Sequence, residues 1–466
     1  MERDGAFTRR LAQYCAEARL EDIPIQVRER AKYIILDGLG CGLFGAGLPW
    51  SKILTRTVAS FSTGGSSLAW GTSLRLPPDH AVLLNGSFVQ GFELDDYHRE
   101  GGLHEGANVL PAALACADLA GAVSGADLLT AIVVGFEVGP RVGQCVGAAH
   151  ILERGWHGGS VVGTLAAAAA GGRVLRLTPS EMVHAFGIAA TQSSGLMAAQ
   201  FGAMVKRMHH GRSSQSGFYA AALARNGYTG IERVFEERYG GFCTTFTGSS
   251  DDFDLCKLTD GLGTRYETER IAIKPYACNG SIHSSLDAIR ALRERRPFAS
   301  EEVRGVTVRC TRATLEHVGW RYQPSSMTAA QMNLSFGIAA MIEHGDAFVD
   351  QYTEENIRSP RLLDLAQRVS VVNEPAFDAL GPRHRHHVEL TVEFLDGSRE
   401  TETVIAALGS PARPLPNDRI ADKFDRLARA VLGPEQAEAL KERVLHLEEI
   451  EDARTLGHLL RGSVSL

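Results

Sequence analysis

The spacing of apolar residues over the first 270 positions predicts a mainly helical chain. In TPSEMVHAFGIAATQ, the apolar residues that follow Glu181 recur at roughly helical spacing. Thr178 is a suitable N-cap, Pro179 fits the first helical position, and Glu181 completes a capping box. The stretches VRERAKYIILDGLGCGLFGAG and ADLLTAIVVGFEVGPRVGQ predict further helices interrupted by glycine. Because many of these helices are rich in alanine and glycine, their backbones can approach closely, and we expect a tightly packed bundle.

The pattern changes near Arg270. The stretches IAIKPYA, VRGVTVRCT, RVSVVNE and HVELTVEFLDGSRETETVIAAL contain alternating or consecutive β-branched residues, which predict strands. The dipeptide Asp396-Gly397 predicts a hairpin turn. Two helical stretches, SSLDAIRALRERR and TAAQMNLSFGIAAMI, lie between the strands, and after SPARPLPNDR the chain becomes helical again.

These changes divide the chain into three ranges. We predict that residues 1–270 form the first part of a large helical domain and that residues 271–405 form a smaller α+β lid domain. Residues 406–466 then return to the helical domain, so that the lid is an insertion. A chain of 466 residues exceeds what one hydrophobic core usually covers, which agrees with two domains. A cleft between the two domains is the expected ligand site.

Composition and charge narrow the possible functions. The chain is 44% hydrophobic and 22% charged, as in an ordinary globular protein, and its formal net charge is -7. It has no basic patch with interleaved aromatic residues, so we do not expect nucleic-acid binding. The start, MERDGAFTRRLAQYCAEARLED, lacks the apolar core of a signal peptide, and the apolar stretches are too short for a membrane span. We therefore expect a cytoplasmic protein that does not bind a membrane.

The eight cysteines are scattered along the chain and include no C-x-x-C pair. Both a zinc ribbon and a disulfide framework are therefore disfavoured.

The stretch GFELDDYHREGGLHEGANVLPAAL, residues 91–114, contains many acids and two histidines just ahead of an apolar helix. Asn108 is a candidate helix cap, and His104 then lies just before a helix N-terminus, where free N–H groups favour a bound anion. The alternative is a solvated surface loop that contains His98 and His104. A metal site is a weaker alternative, because His-x5-His with scattered acids matches no defensible ligand spacing.

Two later stretches resemble this arrangement. In RGWHGGSVVGTL, His157 precedes two glycines and Ser160, a candidate N-cap, which favours either an anion site or a simple helix–helix turn. In GAMVKRMHHGRSSQSG, Lys206 belongs to a group of cations between apparently buried helices, and buried cations need an anionic partner. That partner is either a substrate carboxylate or a structural ion pair with Asp95 or Asp96.

A fourth stretch, IKPYACNGSIHSS, places Lys274, Asn279 and His283 at the predicted domain boundary. Cys278 in the same stretch is a weak candidate nucleophile, because the sequence links no particular base to it. The histidine-rich segment GPRHRHHVELTV is interpreted as the solvated start of a strand.

In this order, the stretches resemble the MmgE/PrpD family, which includes 2-methylcitrate dehydratase, cis-aconitate decarboxylase and iminodisuccinate epimerase. The matching segments are GFELDDYH…LHEGANVLPAALA, GWHGGSVVGTLAAAAAGGRVLRL, AFGIAATQSSGL, GAMVKRMHHGRSSQSG and IKPYACNGSIHSSLDA. They extend over nearly the whole chain, and their combination is specific although each motif alone is not. The resemblance implies a large helical domain with a small α+β lid domain, usually a homodimer, and catalysis without a metal or organic cofactor.

By the same resemblance, His104, His157 and Lys206 match functional motifs of the family, and Lys274 and His283 match the motif that begins the lid domain. Four positions depart from the decarboxylase branch: Glu93 replaces Asp, Tyr97 replaces Thr, Glu105 stands where Pro is common, and Asn279 replaces His. These departures count against a cis-aconitate decarboxylase more than against the family.

The reactions of that family share one difficulty, which is the charge that develops at a carbon next to a carboxylate. Lysines and helix N-termini can stabilise this charge, so we expect Lys206 and Lys274 beside the substrate carboxylates. Histidine titrates near neutral pH, which makes His104 and His157 the candidate acid and base.

We therefore predict two sets of site residues. The catalytic set is His104, His157, Lys206 and Asp96. The substrate-binding set is Lys274, His283, Asp95, Tyr97 and Asn279. The acids, chiefly Asp95 and Asp96, are expected to orient the histidines and to balance the cations, and no metal or cofactor is expected.

The predicted function is that of a cofactor-independent lyase acting on a small di- or tricarboxylate, with dehydration of the 2-methylcitrate dehydratase type as the reaction. The alternatives within the family are an epimerase or other isomerase of the iminodisuccinate epimerase type and a decarboxylase of the cis-aconitate type. An alternative from another class is a non-catalytic carboxylate-binding protein. The presence of both His104 and Lys206 argues against it, because binding alone needs cations but no titrating histidine pair. A metal-dependent hydrolase is a further alternative, and a homodimer is expected.

Overall fold

The computed structural model describes residues 6–466, which are mostly helical with small sheets. The helices up to residue 270 are α1 (Ala6–Glu17), α2 (Ile25–Ala46), α3 (Pro49–Ala59), α4 (Pro78–Val89), α5 (Glu105–Ala120), α6 (Gly125–Val146), α7 (Ala148–Glu153), α8 (Gly158–Val174), α9 (Pro179–Ala190), α10 (His209–Arg225) and α11 (Phe242–Thr247). The strands in this part are β1 (Ser67–Leu68), β2 (Arg75–Leu76) and β3 (Tyr97–His98). The mainly helical character predicted from the sequence is confirmed.

The remaining residues add both helices and strands. The helices are α12 (His283–Arg295), α13 (Arg312–Val318), α14 (Met327–Gln331), α15 (Leu334–His344), α16 (Pro360–Gln367), α17 (Pro375–Asp378), α18 (Asn417–Ala428), α19 (Pro434–Leu445) and α20 (Thr455–Leu459). The strands are β4 (Ile271–Ala272), β5 (Val303–Cys310), β6 (Val369–Asn373), β7 (Val388–Phe394) and β8 (Arg399–Val404). Below, residues 271–405 are called the α+β region, and the rest of the described chain is called the helical region.

Helix α8 lies at the centre of the helical region and packs against α5, α6, α9 and α10. Its close contacts depend on glycine. A Cβ at Gly163 would lie 2.2 Å from Asn108 Oδ1 of α5, and a Cβ at Gly217 of α10 would lie 2.4 Å from Ala167 Cβ of α8. The Ala- and Gly-rich sequence therefore permits the tight packing that the pattern predicts. The predicted capping box of α9 is also present, with Thr178 Oγ1 accepting from the Glu181 backbone N–H at 3.3 Å.

The sheet of the α+β region has four strands in the order β6-β5-β7-β8. Strands β5 and β6 run parallel, whereas β5–β7 and β7–β8 are antiparallel. Alternate residues of β7 are buried, and α12 packs against β7 and β8. The predicted Asp396-Gly397 turn joins β7 to β8, and Gly397 adopts the left-handed φ of 82° that such a turn favours.

The helical region and the α+β region are joined at two places. Strand β4 pairs with β3, so Ile271 lies opposite His98 and the four-stranded sheet does not include this first predicted strand. After residue 405, α18 and α19 pack against α2. On this ground we propose that residues 271–405 are inserted in a helical domain formed by residues 1–270 and 406–466.

Within residues 6–466, no single helix is long and apolar enough to cross a membrane. Helices α2 and α3 together meet the criteria of length and composition, but they are bent by 80° at their junction.

The packing of α18 against α2 includes a buried ion pair, which gives a first prediction. Lys423 Nζ lies 2.6 Å from Asp37 Oδ1, and both side chains are almost fully buried. Replacing Lys423 with Met leaves Asp37 as an uncompensated buried charge, so we expect the free energy of unfolding to fall by about 3–5 kcal/mol. Urea unfolding followed by circular dichroism measures this change.

The matched control is Lys441→Met, which removes a less buried lysine from Asp425. Its expected cost is at most about 1 kcal/mol, as for surface ion pairs. Equal effects of the two substitutions would contradict a special role for the buried pair.

Candidate active site

The acidic stretch between α4 and α5 is buried. Glu93, Asp95, Asp96 and His98 are each at most 2% exposed, so the alternative of a solvated surface loop is wrong. Glu93 adopts a left-handed backbone conformation with a φ of 56°, which is uncommon for a residue with a side chain. Such a conformation costs about 1–3 kcal/mol and persists only where surrounding contacts hold it.

The contacts that hold Glu93 form a group that we call the Glu93 cluster, which comprises Glu93, Lys206, Arg207 and Lys274. Lys206 Nζ and Arg207 Nη1 both contact Glu93 Oε1, the latter at 3.0 Å. Lys274 Nζ lies 3.7 Å from Glu93 Oε2 and donates a hydrogen bond to the Glu93 carbonyl oxygen at 3.1 Å. Burial alone would raise the pKa of Glu93, but the three cations outweigh it and hold that pKa well below its usual range. The cluster is therefore charged and held together by electrostatic attraction.

The alternative role considered for Lys206 was a structural ion pair with Asp95 or Asp96, and the structure contradicts this choice of partner. The partner is Glu93, because Asp95 and Asp96 have other contacts. Asp96 accepts hydrogen bonds from the backbone N–H groups of Glu105 at 2.8 Å and Gly106 at 2.9 Å. It therefore caps the N-terminus of α5, which satisfies two N–H groups that the helix itself leaves free.

This role of Asp96 corrects two predictions. Asp96 was predicted to be catalytic, but it does not line the cavity described below, and its carboxylate is engaged by the backbone. Asn108 was predicted to cap α5, but it lies inside the helix and donates to the His104 carbonyl oxygen at 2.7 Å.

Asp95 contacts His104, the residue that precedes α5. Asp95 Oδ2 lies 3.0 Å from His104 Nδ1, and the Asp95 side chain is fully buried. Burial alone would raise the pKa of Asp95, but His104 and Lys274 outweigh it and lower that pKa. A carboxylate at Nδ1 favours the tautomer with a proton on Nδ1 and fixes the orientation of the ring. The Nε2 atom of His104 is then available for a ligand.

His157 immediately precedes α8 and occupies the N-cap position that the sequence analysis predicted for Ser160. Helix α8 begins at Gly158, so Ser160 lies inside its first turn and donates to the carbonyl oxygens of His157 at 3.0 Å and Ser194 at 2.5 Å. The predicted N-cap role of Ser160 is therefore wrong. Burial, followed by the charge of Lys206, lowers the pKa of His157 well below its ordinary value. His157 is thus neutral near pH 7.

Four histidine rings follow one another along this side of the site. His104 packs edge-on against His210 with centroids 4.8 Å apart, and His210 packs edge-on against His157 at 4.9 Å. The Nδ1 atoms of His157 and His209 lie 2.8 Å apart, which is hydrogen-bonding distance. Because only a protonated nitrogen can donate, one of these two atoms has a proton and the other accepts.

These groups surround a cavity of about 190 Å³ between the two regions of the chain. Of the nine predicted site residues, six line it: His104, His157, Lys206, Lys274, Tyr97 and Asn279. Asp95 lies behind His104, as described above. Within residues 6–466 no group of three or more His, Cys, Asp and Glu side chains has the arrangement of a metal site.

His283 was predicted to bind substrate, but the structure places it away from the cavity. Its side chain is 1% exposed, its Nε2 lies 3.2 Å from the Cys278 carbonyl oxygen, and its ring packs edge-on against Tyr276. Burial lowers its pKa to about 3, so the ring is neutral. Cys278 is also buried, which raises its thiol pKa to about 12 and disfavours it as a nucleophile.

The sequence analysis missed several polar residues that line the cavity from the α+β region. They are Ser281, His317, Arg385 and His386. Arg385 and His386 belong to the histidine-rich segment that was interpreted as the solvated start of a strand, and this interpretation is wrong for them. The feature of the sequence that could have identified these two residues is the concentration of basic residues immediately before β7.

Comparison with known proteins gives two matching family models. Residues 9–254 match the MmgE/PrpD N-terminal domain, and residues 276–449 match the MmgE/PrpD C-terminal domain. The chain is 37% identical to the cis-aconitate decarboxylase-like protein oryM of Aspergillus oryzae, over 99% of this chain and 98% of that protein. It is also 37% identical to the cis-aconitate decarboxylase of Aspergillus terreus, over 99% and 97%. With the 2-methylcitrate dehydratase of Salmonella typhimurium the identity is 22%, over 81% and 80%.

The Glu93 cluster allows the ligand role of Lys206 to be separated from its structural role. Lys206 and Arg207 contact the same carboxylate oxygen, but only Lys206 lines the cavity. We expect Lys206→Met and Arg207→Met each to lower the free energy of unfolding by about 1.5–3 kcal/mol, the value of a hydrogen bond to a charged group. Only Lys206→Met should also lower kcat/KM per folded molecule, by about 100-fold or more.

Urea unfolding and steady-state kinetics on the two variants test this difference. A Lys206→Met protein with preserved activity per folded molecule would make Lys206 purely structural. The carboxylate site would then be assigned to Lys274.

Proposed function

The chain belongs to the MmgE/PrpD family, and from this premise we propose that it is a lyase that removes carbon dioxide from a small unsaturated tricarboxylate of the cis-aconitate type. The observation that carries the proposal is the convergence of two histidines and two lysines on one cavity. They are His104, His157, Lys206 and Lys274.

The relatives support one of the reactions considered from the sequence over the others. They favour the decarboxylase alternative over dehydration, which the sequence analysis placed first, because the decarboxylases are more similar to this chain over nearly its full length. Three of the four departures from the decarboxylase branch, Glu93, Tyr97 and Asn279, line the cavity and still count against this reaction. The fourth, Glu105, does not line it, so its identity does not alter the contacts of a ligand there.

Decarboxylation makes two demands on the site. When carbon dioxide leaves, the electron pair of the broken C–C bond remains on the carbon framework, next to a remaining carboxylate. Cations at that carboxylate stabilise the charge, and a proton must then be added to carbon. Lys206 and Lys274 supply the cations in this proposal. Their ammonium groups are held in position by Glu93 before any ligand binds, which lowers the cost of ordering them.

The proton is assigned to His104. Asp95 accepts from the Nδ1 side of this ring, so Nε2 is the atom that faces the substrate carbon. To donate from Nε2 the ring must be an imidazolium with a proton on both nitrogens, and donation leaves the neutral ring with its proton on Nδ1. His157 is neutral near pH 7 and is assigned a second role, which is to hydrogen-bond the substrate from the far side of His210 in the row of histidine rings. Neutral His157 adds no further positive charge beside Lys206.

Proton NMR in heavy water tests the reaction itself. Purified protein is incubated separately with cis-aconitate, 2-methylcitrate, citrate and iminodisuccinate. We expect cis-aconitate to be consumed with release of carbon dioxide and incorporation of one deuteron at carbon. Loss of water from 2-methylcitrate, with no carbon dioxide from any substrate, would instead establish the dehydratase.

A variant tests the role of His104. We expect His104→Ala to lower kcat about 100-fold or more while the protein stays folded, because general acid catalysis contributes about 10²–10⁴-fold. His446→Ala serves as the control, because this histidine is 60% exposed and does not line the cavity. Near-normal turnover by His104→Ala would remove His104 from the mechanism.

We also propose that the protein is a homodimer. The segment 196–205, beside the cavity-lining Met197, exposes several large apolar side chains. Leu196 is 64% exposed, Phe201 72% and Met204 57%. Adjacent exposed apolar residues of this kind are typical of protein interfaces.

Light scattering after size exclusion should give twice the chain mass of 50.3 kDa, and substitution of Phe201 and Met204 by Ser should shift the protein towards monomer.

A further inference from the structure

The charges that line the cavity bear on which carboxylates it recognises, if the function proposed above holds. In and beside the Glu93 cluster, the cations Lys206, Arg207 and Lys274 contact the carboxylates Glu93 and Asp95. Three cations facing two carboxylates leave one net positive charge. A tricarboxylate has three negative charges at neutral pH, so this group alone does not neutralise it.

Arg385 is a further cation of the cavity wall, contributed by the loop before β7. Within residues 6–466, no carboxylate lies within ion-pair distance of its guanidinium. Its Nε atom is shielded from solvent and has no hydrogen-bond partner in the described chain. Arg385 is partly buried, and a guanidinium that is shielded at Nε and has no ion-pair partner among the described residues is costly, which favours a bound anion that completes its contacts.

Helix α13 and its N-cap residue Thr311 hold Arg385 at both its backbone and its side chain. The hydroxyl groups of Thr311 and Thr314 donate to the Arg385 carbonyl oxygen at 2.7 and 2.8 Å. Arg385 Nη2 lies 3.0 Å from His317 Nδ1. Because a guanidinium can only donate, His317 Nδ1 accepts this bond and is therefore unprotonated. Burial, followed by the charge of Arg385, lowers the pKa of His317 to about 4, which agrees with a neutral ring.

This arrangement fixes the guanidinium before a ligand arrives. Arg385 has five N–H groups in a planar fork that matches the geometry of a carboxylate. Since His317 engages only Nη2, donors remain for an anion in the cavity. Lys206 and Lys274, by contrast, are point charges already in contact with Glu93.

We propose that Arg385 binds a substrate carboxylate that Lys206 and Lys274 do not hold, and that it makes the site select tricarboxylates over dicarboxylates. His317 is a positioning residue that holds the arginine. The α+β region thereby contributes the specificity of the site in addition to Lys274, whereas the helical region contributes His104, His157 and Lys206.

Isothermal titration calorimetry with two unreactive ligands tests this assignment. The probes are propane-1,2,3-tricarboxylate and the dicarboxylate glutarate, neither of which has the double bond of the proposed substrate. For Arg385→Met we expect the Kd of the tricarboxylate to rise about 10- to 100-fold, the loss of a charge-assisted contact, with the Kd of glutarate little changed. Arg385→Lys should recover part of the loss, because it keeps the charge without the planar fork.

Arg383→Met is the matched control. It lies two residues away, its side chain is exposed, and its carbonyl oxygen, which accepts from Arg99 at 3.0 Å, is kept. Both Kd values should remain those of the unsubstituted protein. Unfolding midpoints confirm that each variant is folded before titration.

The outcomes separate this inference from the proposed function. Equal weakening of both ligands by Arg385→Met, or no weakening of either, would overturn the role of Arg385 while leaving a functional carboxylate site. Failure of the unsubstituted protein to bind either ligand would instead overturn the proposed function, and this inference with it.

Discussion

The buried carboxylate of Glu93 is the interaction on which the rest of the site depends. It contacts Lys206 and Arg207 from the segment before α10 and Lys274 from the start of the α+β region. Without that carboxylate, three cations would lie together in a low-dielectric interior and repel one another. Arg207 extends the contact further, since it donates to Gln331 Oε1 of α14 at 2.7 Å. One side chain thus joins parts of the chain that are far apart in sequence.

The same carboxylate explains the unusual backbone at Glu93. The left-handed conformation is unfavourable for a residue with a side chain, but three ionic contacts compensate for it. The electrostatic attraction therefore fixes both the loop and the two lysines that face the cavity. A site assembled in this way has its cations in place before an anion arrives, as catalysis by preorganised charges requires.

Much of this molecule could be predicted from the sequence, and the parts that could not share a physical cause. Local patterns identified the capping box of α9 and the turn between β7 and β8, because both depend on residues close together in the chain. The caps of α5 and α8 were misassigned. The cap of α5 is Asp96, which precedes Glu105 by nine residues. Rules for helix caps consider only the residues next to the first turn, so they do not predict a cap at this distance.

The same limit applies to the cavity. Motifs identified His104, His157 and Lys206, but the ionic partner of Lys206 is 113 residues away in the sequence. Arg385 was not predicted as a site residue because its contact, His317, is 68 residues away in the sequence and because a basic segment before a strand usually faces solvent. Side-chain contacts between distant segments are the information that a single sequence does not supply.

The hydrogen bond between His157 and His209 limits how much charge this wall of the cavity can acquire. A bond between two Nδ1 atoms at 2.8 Å contains one proton, and two imidazolium rings would each present a proton there and repel. The pair can therefore gain at most one positive charge without breaking its contact. An anion bound beside His157 can therefore gain the attraction of at most one added charge from this pair as the pH of the medium falls.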